Sequence, residues 1–331
     1  MTSVMSRRTL LALTATAAVA GRAAAQPAAD DAHWPDRPVR LIVPFGAGSS
    51  SDTIARIVSQ KLGERLGQPF VIENKPGAAT ILGTETVAHA APDGYTLELA
   101  NTTSHAATSA LNATLSFDPV KDFAPVALFA YSPFVLLVTP ALDVKSVADL
   151  IAAAKAKPGA LNYASAGIGS MTHLAGALFA SMAGVKLTHV PYRGTEKSMI
   201  DLMQGRIEVL FGTIAPSLPL IREGKLRALA TTGPKRNAML PDLPTLAEAG
   251  LSGYEAGLWT AFVFPAGVSP AIVTRLNAEV NAIIKDPEVV ALLMKQGVET
   301  ESGTPDMLAA RIKGDLAKWR DLVVKAGIKA Q

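Results

Sequence analysis

The sequence predicts an α/β protein of mainly parallel sheets flanked by helices. Three observations carry that prediction. Short apolar runs alternate with segments of helical period, and Gly/Pro pairs such as Pro76-Gly77, Pro158-Gly159 and Gly233-Pro234 fall at the joints. The composition is 49% apolar but only 5% aromatic, so aliphatic side chains must fill the core. With 18% charged residues in a chain of 331, long disorder is excluded, and the length suits two domains.

The elements follow in order. Residues 1–25 carry Arg7, Arg8 and Arg22 and no acidic residue, an apolar stretch from Leu10 to Ala20, and Ala23-Ala24-Ala25 before Gln26. That is the pattern of a secretory signal cleaved after Ala25. The stretch is too short for a membrane span of about 20 residues. Ser6-Arg7-Arg8-Thr9-Leu10-Leu11 also resembles a twin-arginine motif, so the Sec and twin-arginine routes both stay open. Strand-like runs cover 39–43, 70–73, 95–99, 161–164, 187–190, 207–211 and 226–231. Helical stretches lie between them at 51–66, 147–155, 172–183, 196–204 and 218–223. The tail reads as three consecutive helices, 270–285, 287–296 and 304–326, the first with Ser269 as N-cap and Pro270 in its first turn. Two long β-rich segments, 126–140 and 254–265, are expected to leave one domain and return to it. They divide the chain into a discontinuous first domain, 34–136 plus 256–331, and a second domain, 137–255.

Charge narrows the function. Lys and Arg outnumber Asp and Glu by 31 to 28 over the whole chain, but the excess is the three arginines of the signal. The mature chain is formally neutral and has no basic run, which removes the electrostatic basis for binding nucleic acid or an anionic membrane surface. With no cysteine there is neither a disulfide framework, nor a lipid-anchored cysteine, nor thiolate chemistry. Enzyme signatures are missing too: no G-x-S-x-G elbow, no H-E-x-x-H and no phosphate loop. His33, His89, His105, His173 and His189 have no metal-ligand spacing, and neither metal nor cofactor is expected. Gly46-Ala47-Gly48 lacks the third glycine of a dinucleotide fingerprint, since Ser51 stands there.

What remains is a local design used twice. Phe45-Gly46-Ala47-Gly48-Ser49-Ser50 follows the first strand and opens a helix, and Ser165-Ala166-Gly167-Ile168-Gly169-Ser170 does the same in the second domain. A Gly/Ser turn at a helix N-terminus offers N–H donors and hydroxyls where the helix dipole is positive, an anion site without a cationic side chain. A plain capped strand–helix joint would look the same at this point. Thr102 and Thr103, Tyr192 and Arg193, and Thr213 also sit at strand carboxyl ends, where open parallel sheets place ligands. Trp259 is expected in the core, and Asp52 at its helix cap rather than on an anion.

The succession PFGAGSSSDTIAR, ENKPGAATILGTETVAHAAPDGYTL, DPVKDFAPVAL, SAGIGSMTHLAGALF, HVPYRG and GKLRALATTGPKR, then PDLPTLAEAG, resembles the Bug family. These are periplasmic substrate-binding receptors of tripartite tricarboxylate transporters. The resemblance covers nearly the whole mature chain. It implies a two-domain periplasmic-binding-protein fold, type II-like, with a ligand cleft between the domains. It also implies a small carboxylate as ligand and integral membrane permease subunits as partners, in a monomer located in the periplasm and with no catalysis. Carried over residue by residue, it points to Phe45, Gly46, Ala47, Gly48, Ser49 and Ser50, with Thr102 and Thr103. From the second domain it points to Ser165, Gly167, Gly169, Ser170, His173, Tyr192, Arg193 and Thr213. This chain departs from the family pattern at Ser49 and at Ala79-Thr80, where glycines are common, and at Thr213, where Asp or Asn is common. Thr213 argues for an organic acid without an amine. The rival readings are a ligand-presenting sensor protein, or a secreted hydrolase built on Ser170 and His173.

Overall fold

A computed structural model describes residues 33–112, 114–192 and 194–328. The export signal expected over residues 1–25 and the candidate Arg193 lie outside the described residues. The described part opens with β1 (Val39–Val43), α1 (Ser50–Leu66), β2 (Phe70–Asn74), α2 (Ile81–Ala88) and β3 (Thr96–Asn101). After a π-helical turn at Thr103–Ala107 come α3 (Thr108–Leu111) and the 16-residue β4 (Phe123–Val138). The next elements are α4 (Val147–Ala156), β5 (Asn162–Ser165), α5 (Met171–Ala183), β6 (Thr188–Pro191), α6 (Thr195–Met203), β7 (Val209–Thr213), α7 (Ile214–Arg222) and β8 (Arg227–Thr231). The chain closes with β9 (Gly257–Pro265), α8 (Pro270–Ile283), α9 (Pro287–Lys295), β10 (Glu299–Thr300) and α10 (Pro305–Ala326).

The described strands form one ten-stranded sheet in the order β2-β1-β3-β9-β4-β7-β5-β6, with β8 and β10 also on β4. Its flanks are parallel, as the apolar runs predict: β1 pairs with β2 and β3, and β5 with β6 and β7. Its centre is antiparallel, because β9 runs back between β3 and β4. β4 carries the crossing: Phe123 to Pro133 pair with β9, and Phe134 to Val138 pair with β7. The sheet is therefore mixed rather than mainly parallel. A strand that leaves one half and another that returns necessarily run in opposite directions.

Period-two alternation distributes the core over both sheet faces. In the first half Val39, Leu41 and Val43 pack with α1, α8 and α9, while Ile42 joins Phe123, Trp259 and Leu308 on the other side. In the second half Phe134, Leu136 and Val138 face α5, while Val135 and Leu137 face the opposite layer with Leu210 and Ile214. The few large aromatics are spent at the centre: Trp34, Trp259 and Trp319 are all fully buried. Burying one such ring stabilises by roughly 2–3 kcal/mol.

α10 spans both halves, with Leu308 and Ile312 in the first half's core and Trp319 and Leu322 in the second's. Between them Asp315 accepts the Trp259 indole N–H at 2.8 Å and pairs with Arg311 and Lys318. One sequence expectation needs correction here. The tail is not an unbroken helical run, because the two-residue β10 separates α9 from α10 and pairs with β4 at Ala130 and Tyr131.

Candidate functional site

Strand register fixes where the candidate loops lie. The carboxyl end of β3, Asn101, is paired through Thr260 of β9 with Ala130 of β4. The carboxyl end of β7, Thr213, is paired with Phe134 of β4. Those partners are four residue steps apart along the strand, about 13 Å at ~3.3 Å per residue. Both sets of parallel strands thus aim their carboxyl ends at the same crossing of β4 from opposite sides. The loops after β1 and β3 share one side, those after β5, β6 and β7 the other. A Cβ built on Gly169 would come within 2.7 Å of Leu111 on α3, so the two sides touch there.

The loop after β1 is open. Phe45 is half-buried, Gly46, Ala47, Gly48 and Ser50 are exposed, and Ser49 caps α1 by accepting the Asp52 N–H at 3.2 Å. Asp52 takes the Gly48 N–H at 2.9 Å, the Asn74 amide at 2.9 Å and both arms of the Arg56 guanidinium at 3.0 Å. Burial alone would raise its pKa, but Arg56, Gly48 and Asn74 outweigh it and hold the carboxyl down at about 2. Asp52 is thus an internal anchor compensated by Arg56; it lies in the first turn of α1, and Ser49 rather than Asp52 is the N-cap, which corrects the expectation. Gly48 needs its positive φ of 80° for the turn. Among the described residues the Ala47 and Ser50 N–H groups have no protein acceptor, so they remain donors at the positive end of α1.

The loop after β3 is more occupied than its sequence implies. Thr102 is fully buried and its Oγ1 accepts the Trp259 N–H at 2.9 Å, so its hydroxyl serves the joint with β9. Asn101 Oδ1 accepts the N–H groups of Thr103 and Ser104 at 2.8 and 3.1 Å. The half-buried Thr103 side chain is the hydroxyl this loop leaves accessible.

The loop after β5 is closed on itself. Ala166 N–H goes to Thr172 Oγ1, Gly167 N–H to Ser165 Oγ, Gly169 N–H to His173 Nδ1 and Ser170 N–H to the Gly167 carbonyl. Ser170 caps α5 by accepting the His173 N–H at 3.2 Å and donates to the Gly167 carbonyl at 2.7 Å. The donors expected from Gly167, Gly169 and Ser170 are therefore engaged within the turn. The N–H groups of Met171 and Thr172 at the start of α5 remain, and no acidic side chain lies in that turn to offset its dipole.

His173 also departs from its expected place. It is 6% exposed and sits behind the loop, stacked on His189 with ring centroids 3.8 Å apart and planes 8° apart. Ser170 meets its main chain rather than its ring, so the hydrolase pairing of Ser170 with His173 does not form. Ser165 is fully buried, its Oγ 2.7 Å from His189 Nε2. The Tyr192 hydroxyl donates to Asp201 at 2.8 Å and burial pushes its pKa up to about 12, so it is a neutral phenol already in use. Thr213 stands half-buried at the N-cap of α7 with no capping hydrogen bond from its side chain. Trp259 is in the core, as expected.

Residues 54–328 match the model of the tripartite tricarboxylate transporter family receptor. The chain is 34% identical over 297 residues to BugT of Bordetella pertussis, covering 89% of this chain and 91% of that protein. An R. palustris protein solved with adipate is 38% identical with a TM-score of 0.74, covering 89% of this chain and 99% of its own. MatC from Rhodopseudomonas palustris, solved with bound malate, is 34% identical with a TM-score of 0.72, covering 88% and 100%.

Proposed function

The chain belongs to the tripartite tricarboxylate transporter receptor family, and from that membership we propose that it captures a small organic acid between its two domains. Members of this family are solute-binding receptors rather than enzymes. We infer domains of 34–136 plus 256–331 and of 137–255, closing on the ligand at the β4 crossing. The carrying observation is the convergence of both sets of strand carboxyl ends on Ala130–Phe134. Adipate and malate, the acids found with two relatives, are the first candidates for the ligand class.

In this reading one carboxylate meets the Ala47 and Ser50 N–H groups, the Ser50 hydroxyl and Thr103 at the open loop. The closed Gly167–Ser170 turn and the start of α5 form the opposite wall, with Thr213 beside them. Gly46 and Gly48 admit the ligand to the main chain, and Phe45 and Tyr192 contribute apolar surface. The protein is exported as a monomer, cleaved after Ala25, and hands its ligand to membrane permease subunits.

The test is a panel of mono-, di- and tricarboxylic acids against the mature protein. Melting temperature should rise and the radius of gyration fall with at least one of them, and Ser50→Ala should weaken that response by about tenfold. A protein whose melting and scattering ignore every acid would overturn the reading.

A further inference from the structure

The stacked histidines behind the second-domain loop do more than fill space. His173 Nδ1 accepts the Gly169 N–H at 3.1 Å, which requires the lone pair of an unprotonated ring nitrogen. His189 Nε2 contacts Ser165 Oγ at 2.7 Å, and Ser165 Oγ in turn takes the Gly167 N–H at 3.1 Å. Both ends of the 165–170 turn are therefore tied to one pair of parallel rings, and Tyr163 backs His189 at a centroid distance of 4.9 Å.

A cavity of about 430 Å³ reaches the rings from the side away from the loop, lined by Tyr163, Ser181, Lys186, His189 and Lys325 among others. Among the described residues, the charged side chains lining this cavity beside the rings are Lys186, from the turn before β6, and Lys325, near the end of α10, which also pairs with Asp321 at 2.7 Å. Among the described residues no carboxylate lines this cavity. Tyr163, from β5, stays a neutral phenol because burial raises its pKa. Protonating either ring thus places a cation against its stacked partner in a half-buried or buried setting. Burial holds both imidazoles down at about 4, with His189 adding to the effect on His173.

Resting on the carboxylate-receptor reading above, we propose that His173 and His189 are positioning residues for the ligand-facing turn. The turn keeps its binding shape only while His173 Nδ1 is free to accept the Gly169 N–H. A proton on that nitrogen sets two donors against each other, opens the 167–170 turn and lowers affinity for the carboxylate. Ligand capture is then lost on acidification through a group that does not touch the ligand.

The experiment has two arms. In the ligand-free protein, NMR follows the His173 ring and the Gly169 amide from pH 7.5 to 3.5. Their midpoints should coincide, with Gly169 losing protection from hydrogen exchange. In the second arm, adipate affinity is measured over the same range in wild type, His173→Asn and His173→Leu. Asn places an oxygen where Nδ1 stood and cannot take up the proton, so its profile should keep only the titration of adipate itself. Leu should bind about tenfold more weakly at every pH, and wild type should fall away from Asn below about pH 5. A His173 titration that leaves the Gly169 amide unmoved, or identical wild-type and Asn profiles, would overturn the proposal. Absence of adipate binding by all three would count against the ligand reading, while the first arm would still decide the role of the pair.

Discussion

Glu98 lies fully buried at the centre of β3, its Oε1 accepting the Thr84 hydroxyl at 3.0 Å and standing 3.7 Å from His105 Nδ1. The spacing suggests an ion pair, yet burial pushes Glu98 up to about 8 and His105 down to about 3, so at neutral pH both are uncharged. The pair props the β3 loop through Ser104, whose Oγ sits 3.0 Å from His105 Nδ1. In the unfolded chain a glutamate ionises near pH ~4.3. From there to about 8 the folded state holds a proton that the unfolded state has released. Its contribution is therefore complete below that window and declines as pH rises through it. Glu98→Gln should flatten the decline and gain on the order of 2–4 kcal/mol near pH 8, read by urea unfolding across pH 5–9. An unchanged slope in the variant would assign the decline to another group.

Among the elements, the joint between β2 and α2 is the strained one. Ala78, Ala79 and Thr80 all have positive φ, at 45°, 51° and 85°, and the buried Thr80 hydroxyl has no partner. Ala79 and Thr80 are two of the positions where the family resemblance implies glycine. Left-handed backbone costs a residue with a Cβ about 1–2 kcal/mol. Ala79 is exposed and its carbonyl still accepts the Thr108 hydroxyl at 2.7 Å, so Ala79→Gly removes strain without removing a contact. A gain of about 1 kcal/mol is expected in denaturant unfolding, and a loss would show that the strain is relieved elsewhere. Elements like these set what was legible beforehand. The parallel strands, the cap at Ser269 and the long β-rich segments were readable, because period and cap chemistry are local. The antiparallel centre and β10 were not, since each depends on a strand distant in sequence. For the same reason the candidate loops were visible while the state of their donors was hidden. Nothing around Gly169 announces that a ring four residues on will take its N–H.

At the scale of the molecule, the two halves are joined by β4, β9 and α10, and Asp315 sits where all three meet. It accepts the Trp259 indole of β9 and carries Arg311 and Lys318, while Arg311 also bonds Glu255. Asp315→Ala strands a buried indole donor and leaves the Arg311 guanidinium with Glu255 as its one remaining acidic partner among the described residues. The expected loss is about 3 kcal/mol in urea unfolding, and a variant as stable as wild type would show that the joint does not depend on this carboxylate.

The position of β9 also imposes an order on assembly. It fills the gap between β3 and β4, yet it is the last long strand made, ending at Pro265 of a 331-residue chain. A chain growing from its N-terminus holds β3 and β4 ready but leaves their facing edges open, although both strands are mostly buried in the finished fold. Such edges invite pairing with other chains. The nascent protein therefore stays incomplete, and dependent on whatever shields it, until four-fifths of its length has emerged.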